Sequence, residues 1–292
     1  MHPQYPWAKP TSAEVEKVGL ISIGSLEEKI PFILHPLLLS SDVVFGLYKN
    51  YDYPQDLSIE LLNEIDALLQ TKNVNSIVFD LRIHNWTNIP HLKHSRILSY
   101  TLQDICNELK LNTSIILTNG NKLIGNALGI LSEMMEVSKI LKGEGPPDLT
   151  KYALEIGADF LMMTKKADQR IEAKKWLREK ILGGDLSPYS RDFSEKWKFS
   201  SLTEGYVHHL VMDKLHALKL ELADTHPGIC LFLKKKAGDW VEKGEDMIEF
   251  YPQKGQKNPI KQETCQKVFV ISVDPPNHQP LILERMGLNL HS

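Results

Sequence analysis

Three shortages frame the sequence. Only three cysteines occur among 292 residues, Cys106, Cys230 and Cys265, far apart and odd in number. No Cys-x-x-Cys pair and no Cys/His spacing of a zinc site is present, which argues against a disulfide framework and a structural zinc module. Long apolar runs are missing too: none approaches the roughly 20 residues needed to cross a bilayer. Met1 to Pro10 holds no apolar stretch of signal-peptide type. The expected location is cytoplasmic, away from membranes, with export by a route lacking a cleaved signal left open. The third shortage is positive charge. A formal net charge of −3 gives no electrostatic pull on nucleic acid. The single dense basic run, Lys234-Lys235-Lys236, follows an apolar stretch and reads as a solvated strand end.

What is present is ordinary for a folded chain: 42% hydrophobic and 24% charged residues, enough for one large domain or two modest ones. Residues 1–16, with Pro3, Pro6 and Pro10, read as an irregular arm. A short strand is expected over Val18 to Ile23. Ser40-Ser-Asp42 reads as a cap for a helix from Val43, and Leu57, Leu61, Leu62, Ile65, Leu68 and Leu69 fall at helical spacing. Strand 76–80, helix 92–109, strand 114–117 and helix 123–141 then alternate. This order predicts an α/β fold, a parallel-type sheet covered by helices. Two further helices are expected at 148–163 and 167–182. The composition shifts near residue 198. Strands at 205–210, 228–233 and 247–251, a helix near 258–268 and a last strand at 281–284 read as a separate C-terminal α+β domain. The expected division is an arm at 1–16, an α/β domain at 17–198 with a small helical lobe at about 42–70, and an α+β domain at 199–292.

Several of these stretches share their order with one family. Leu117-Thr118 is followed by Glu133-Met-Met-Glu136 and then by Leu141-Lys-Gly-Glu-Gly-Pro-Pro-Asp-Leu149. Later come Glu204-Gly-Tyr-Val, His226-Pro-Gly-Ile, Gly238-Asp-Trp-Val-Glu-Lys-Gly-Glu245 and Pro280-Leu-Ile-Leu-Glu284. Gly24-Ser-Leu-Glu-Glu-Lys-Ile-Pro31 precedes them all. In this order the chain resembles the thymidine and pyrimidine-nucleoside phosphorylases over about residues 18–286. The resemblance implies a helical lobe, a parallel α/β domain and a C-terminal α+β domain.

The family displaces a pyrimidine from a sugar with phosphate. Such chemistry needs an anion cradle of backbone amides and hydroxyls, and donors for charge growing on the leaving base. The resemblance also implies losses. The family's Lys-His-Ser-Thr-Gly-Gly segment has no counterpart, and its second glycine-rich loop is reduced to Ile21-Ser-Ile-Gly-Ser25. Ser25 matches the hydroxyl residue after those glycines. The pyrimidine-contacting Arg falls at Lys49, the Ser at Glu64 or Asn63, and the Lys at Leu68. Lysine keeps the charge but lacks arginine's planar fork. The family's Lys-Val-Gly-Ser-Gly-Ala-Phe becomes Arg82-Ile-His-Asn-Trp-Thr-Asn88, with both glycines replaced.

The ligand-binding candidates are therefore Ser25, Lys49, Arg82, His84, Asn85 and Thr118. His84, His91 and His94, with Arg82, Lys93 and Arg96, form a possible rebuilt anion site at a strand's C-terminal end. Glu133 and Glu136 match positions near a monovalent-cation site of the family, but a structural role is expected, with no metal and no cofactor. His208 and His209 are consecutive on a strand and are expected on opposite faces, unable to form one site. Without its usual cover, the stripe Leu57, Leu61, Leu62, Ile65, Leu68 and Leu69 becomes a candidate interface for a protein partner or a homodimer. The first functional reading is a non-catalytic interaction or regulatory scaffold. Two others stand beside it: an active nucleoside phosphorylase or related glycosyl- or phosphoribosyl-transferase with a rebuilt site, and a sensor that binds a nucleoside or phosphate-bearing ligand without turnover.

Overall fold

The computed structural model describes residues 17–23, 43–49, 65–66, 74–83, 91–182, 195–226, 228–258 and 261–289. Four parallel strands form the first sheet: β1 (Lys17–Ile23), β2 (Val43–Lys49), β3 (Val74–Ile83) and β4 (Asn112–Asn119). Their order is β4-β3-β1-β2. Helix α1 (Leu92–Glu108) connects β3 to β4. Both faces of β3 and β4 are covered, so each strand carries apolar residues on both sides, with buried polar groups such as Asp80, Arg82, Ser114 and Thr118 among them. Ile77, Phe79, Leu81, Ile115 and Leu117 pack with Leu102 and Cys106 of α1. Val78 and Ile116 join the opposite core. That core is built from α2 (Ile130–Leu141), α3 (Pro147–Met163) and α4 (Arg170–Ile181). The α/β class and the two faces thus agree with the sequence.

Two elements differ from expectation. Residues 43–49 form strand β2, parallel to β1, in place of a helix start. The run Val43-Val-Phe-Gly-Leu-Tyr48 is β-branched and aromatic, and that preference outweighs a possible Ser/Asp cap. The helix expected over 123–141 begins only at Ile130. Gly125 and Gly129, at φ +72° and +97°, keep the preceding residues out of a helix. They allow a two-residue strand instead, β5 (Ala127–Leu128).

Beyond residue 195 lie β6 (Trp197–Ser200), β7 (Gly205–Leu210), α5 (Met212–Thr225), β8 (Cys230–Leu233), β9 (Trp240–Val241), β10 (Asp246–Tyr251), α6 (Gln262–Gln266), β11 (Phe269–Ser272) and β12 (Ile282–Asn289). Helix α5 has a plain signal in Met212, Leu215, Leu218 and Leu222, all buried. One sheet has the order β5-β8-β10-β6 and another the order β11-β7-β9. Two strands cross the division near residue 199. β5 pairs with β8, and β12 runs antiparallel to β4 as the outer strand of the first sheet.

The bulge in β7 changes the reading of its histidines. Val207 pairs with Ile271 and His209 with Val270, so His208 is an extra residue in the ladder. The alternation of faces breaks there, and both His208 and His209 are exposed on the same side, their rings 5.5 Å apart. The expected opposition of the two is corrected. The basic run follows the end of β8 as expected, with Lys234 exposed and each lysine beside a carboxylate. Lys234 lies 3.9 Å from Glu249, Lys235 lies 2.6 Å from Glu245, and Lys236 lies 2.6 Å from Asp148.

Candidate functional site

Parallel strands put their C-terminal ends on one rim, and the register sets which residues share it. Ile23 stands opposite both Lys49 and Leu81, and Arg82 stands opposite Thr118. Lys49, Arg82 and Thr118 are thus gathered along the C-terminal rim of β2, β3 and β4. Open α/β sheets bind ligands at this rim. Ser25, His84 and Asn85 follow within two residues of strand ends, but lie outside the described residues.

Under α3, beside the apolar Val78, β3 carries the polar groups of Asp80 and Arg82. The Thr118 hydroxyl donates to Asp80 Oδ1 at 2.8 Å, and Arg82 Nε donates to Asp80 Oδ2 at 3.3 Å. Asp80 and Arg82 are 3% exposed and Thr118 fully buried. Burial at this level demands pairing, since a lone buried charge is strongly unfavourable. Asp80 therefore fixes the direction of Arg82. The guanidinium lies over the Tyr152 ring, 5.6 Å from its centroid. Tyr152 is 1% exposed, and its hydroxyl lies beside the Asp80 carboxylate and the Thr118 hydroxyl. Burial, and then the Asp80 carboxylate, push its pKa well above the ordinary phenol value, against the pull of Arg82. The hydroxyl is therefore a donor at neutral pH. Sequence reading missed Tyr152, whose place on an apolar helix looked like plain core.

The loop 119–129 leads from this rim to the C-terminal sheets. Three carboxylates gather its amides. Gly125 N donates to Asp148 at 3.2 Å, Asn126 N to Glu136 at 2.7 Å, and Gly129 N to Glu133 at 2.8 Å. Ala127 N also reaches Glu136, at 3.2 Å. Lys219 lies 3.4 Å from Glu133, and Lys236 donates to Gly125 O at 3.2 Å. Burial works to raise the Asp148 pKa, but the charge and hydrogen bond of Lys236 and the Gly125 amide hold it below the ordinary carboxylate range. Glu133 and Glu136 are thus internal anchors for backbone. Among the described residues no cluster of three or more His, Cys, Asp or Glu side chains has the makings of a metal site. Of the cluster expected around residues 82–96, His84 lies outside the described residues, Arg82 turns to Asp80, and Arg96 pairs with Glu284 of β12. His91 and His94 remain close, with ring centroids 5.7 Å apart, and both are exposed.

The candidate interface residue Ile65 is 1% exposed and packs into the core with Ile77 and Phe79. Leu57, Leu61, Leu62, Leu68 and Leu69 lie outside the described residues. No helix among the described residues is long and apolar enough to cross a membrane.

No protein-family profile matches the chain. Individual proteins do. The chain is 26% identical over 246 residues to the pyrimidine-nucleoside phosphorylase of Geobacillus stearothermophilus, covering 73% of this chain and 55% of that protein. A pyrimidine-nucleoside phosphorylase of Staphylococcus aureus strain MSSA476 is 23% identical over 240 residues, covering 72% and 55%. That of strain USA300 is 25% identical over 205 residues, covering 61% and 47%. The chain spans about half the length of the curated relatives it matches. Over nearly three quarters of its length the chain is thus similar to pyrimidine-nucleoside phosphorylases, at about a quarter identity.

Proposed function

We propose that the chain carries out glycosyl transfer of the pyrimidine-nucleoside phosphorylase type, at the C-terminal rim of its parallel sheet. The observation that carries this reading is the buried Asp80–Arg82–Thr118–Tyr152 group on that rim. A cation is held there at fixed orientation beside a protonated phenol, in surroundings that strengthen electrostatic interactions. In phosphorolysis the glycosidic C–N bond breaks, a phosphate oxygen bonds to the sugar's anomeric carbon, and the departing nitrogen takes a proton. Negative charge is present on the phosphate and grows on the base. Arg82 supplies a permanent positive charge close to both. Asp80 and Thr118 hold it in place, so little reorganisation accompanies the reaction. The names of the matching relatives support the same chemistry.

The burial of Ile65 weighs against the scaffold reading at one position, because that residue already has its cover within the chain. The amides of Gly125, Asn126, Ala127 and Gly129 are taken by Asp148, Glu136 and Glu133, so these four do not serve as the phosphate cradle. This leaves Ser25, Lys49, His84 and Asn85 as the residues to complete the site.

The test is phosphate-dependent release of base from uridine, thymidine and cytidine by the purified chain. Release is expected, and is expected to disappear in Arg82→Met. Thermal stabilisation by a nucleoside without base release would replace this reading with a sensor. Absence of both, with a concentration-dependent dimer, would return the scaffold.

A further inference from the structure

We propose that His208 and His209 form a two-histidine chelate for a divalent first-row transition ion. The chelate is a product of the bulge. In a regular strand, consecutive side chains point to opposite faces and cannot share a ligand. Here two residues of β7 oppose the single residue Val270, and the strand twists so that both imidazoles stand on one exposed side. Val207 and Leu210, on either side of the pair, remain buried in the core of the C-terminal unit, which fixes the backbone from which both rings project.

The geometry of the donors points to a metal. The two Nδ1 atoms lie 3.2 Å apart. Two nitrogens bound to one ion at about 2.0–2.1 Å are separated by about 2.9 Å at a right angle and about 3.4 Å at a tetrahedral angle. The observed spacing falls between these. Without an ion, the same spacing lets one ring's N–H donate to the other's lone pair, which requires one Nδ1 protonated and one not. With an ion, both Nδ1 lone pairs converge and the protons reside on Nε2. Neutral imidazole suits zinc, nickel and copper(II). With only two protein donors, the remaining coordination positions go to water or to a group from a bound molecule, so exchange is rapid.

The experiment uses the whole chain without a histidine tag, titrated calorimetrically with zinc and with nickel chloride in a non-coordinating buffer near neutral pH. One equivalent is expected to bind saturably. His208→Gln and His209→Gln are each expected to weaken that event by about tenfold or more. Both rings are exposed, so the circular dichroism of each variant should match the parent and separate loss of a ligand from loss of fold. No saturable one-to-one event overturns the proposal. So does a full event retained in either variant, because a chelate needs both rings.

Discussion

At the scale of single residues, the buried polar groups set the sharpest expectations. The Tyr152 hydroxyl is enclosed beside Asp80 and Thr118. Tyr152→Phe removes a donor from a buried carboxylate and should destabilise the ligand-free chain by about 1 kcal/mol, read as a shift in urea midpoint. If the hydroxyl donates to the departing base or the phosphate, the same variant should also slow base release. A destabilised variant with unchanged turnover would remove Tyr152 from the chemistry and leave it structural. A second expectation concerns Cys265, whose pKa burial, and then the nearby Glu221 carboxylate, push up to about 12. Because the folded thiol holds its proton more tightly than the unfolded one, it supports the fold fully below the ordinary thiol range. That support fades as pH rises from there toward 12. Cys265→Ala should flatten this alkaline part of a stability–pH curve measured by urea melts. An equally steep curve in the variant would place the effect elsewhere. Arg82 and Thr118 were candidates because the chain resembles the phosphorylases at both positions, with Arg82 also at the C-terminal end of a strand. Sequence alone had no means of finding Tyr152, because a tyrosine at helical spacing reads the same whether its hydroxyl meets water or a buried arginine. Lys219 and Lys236 were equally hidden, since their partners lie 86 and 88 residues away.

At the scale of elements, local pattern was informative where an element is buried by its own neighbours and misleading where pairing is distant. β3, α1, β4, α3 and α4 fall close to their expected bounds, because apolar runs and helical periodicity are properties of the segment itself. β12 was read as the end of the C-terminal unit, yet its partner is β4, with Glu284 opposite Leu117 and Arg285 opposite Ile116. No periodicity encodes that choice. The charges around it do contribute: Arg285 donates to Asp159 at 2.7 Å and to Glu155 at 2.8 Å, tying the strand to α3. The bulged β7 was misread for a similar reason, since an inserted residue appears only in the register of the ladder. Its start offers a test. Gly205 has φ +145°, and a Cβ there would lie 2.7 Å from the Ser272 carbonyl oxygen. Gly205→Ala should cost on the order of 2–3 kcal/mol, through strain and loss of close β7–β11 approach. Hydrogen exchange should show the loss first at Tyr206 and Ser272, which are paired there. Unchanged protection at both would mean the backbone absorbs the methyl group without moving the ladder.

At the scale of the whole molecule, the sequence separates two compositions near residue 199, while the chain links them by two strands. β5 leaves the first part to complete a C-terminal sheet, and β12 leaves the last part to complete the first. Lys236 and Lys219 reinforce the joint by pairing with Asp148 and Glu133. A fragment comprising residues 199–292 should therefore fail to fold alone, giving a spectrum without a cooperative melt, while the full chain unfolds in one transition. A cooperative melt of the fragment would make the two strands accessories. The placement of β12 also bears on how the protein is made. As the chain emerges from the ribosome, β4 presents an open edge of hydrogen-bonding groups until residue 289 has been synthesised. During that interval the nascent sheet is vulnerable to pairing with a neighbouring chain, so the speed of translating residues 120–289 sets how long that hazard lasts.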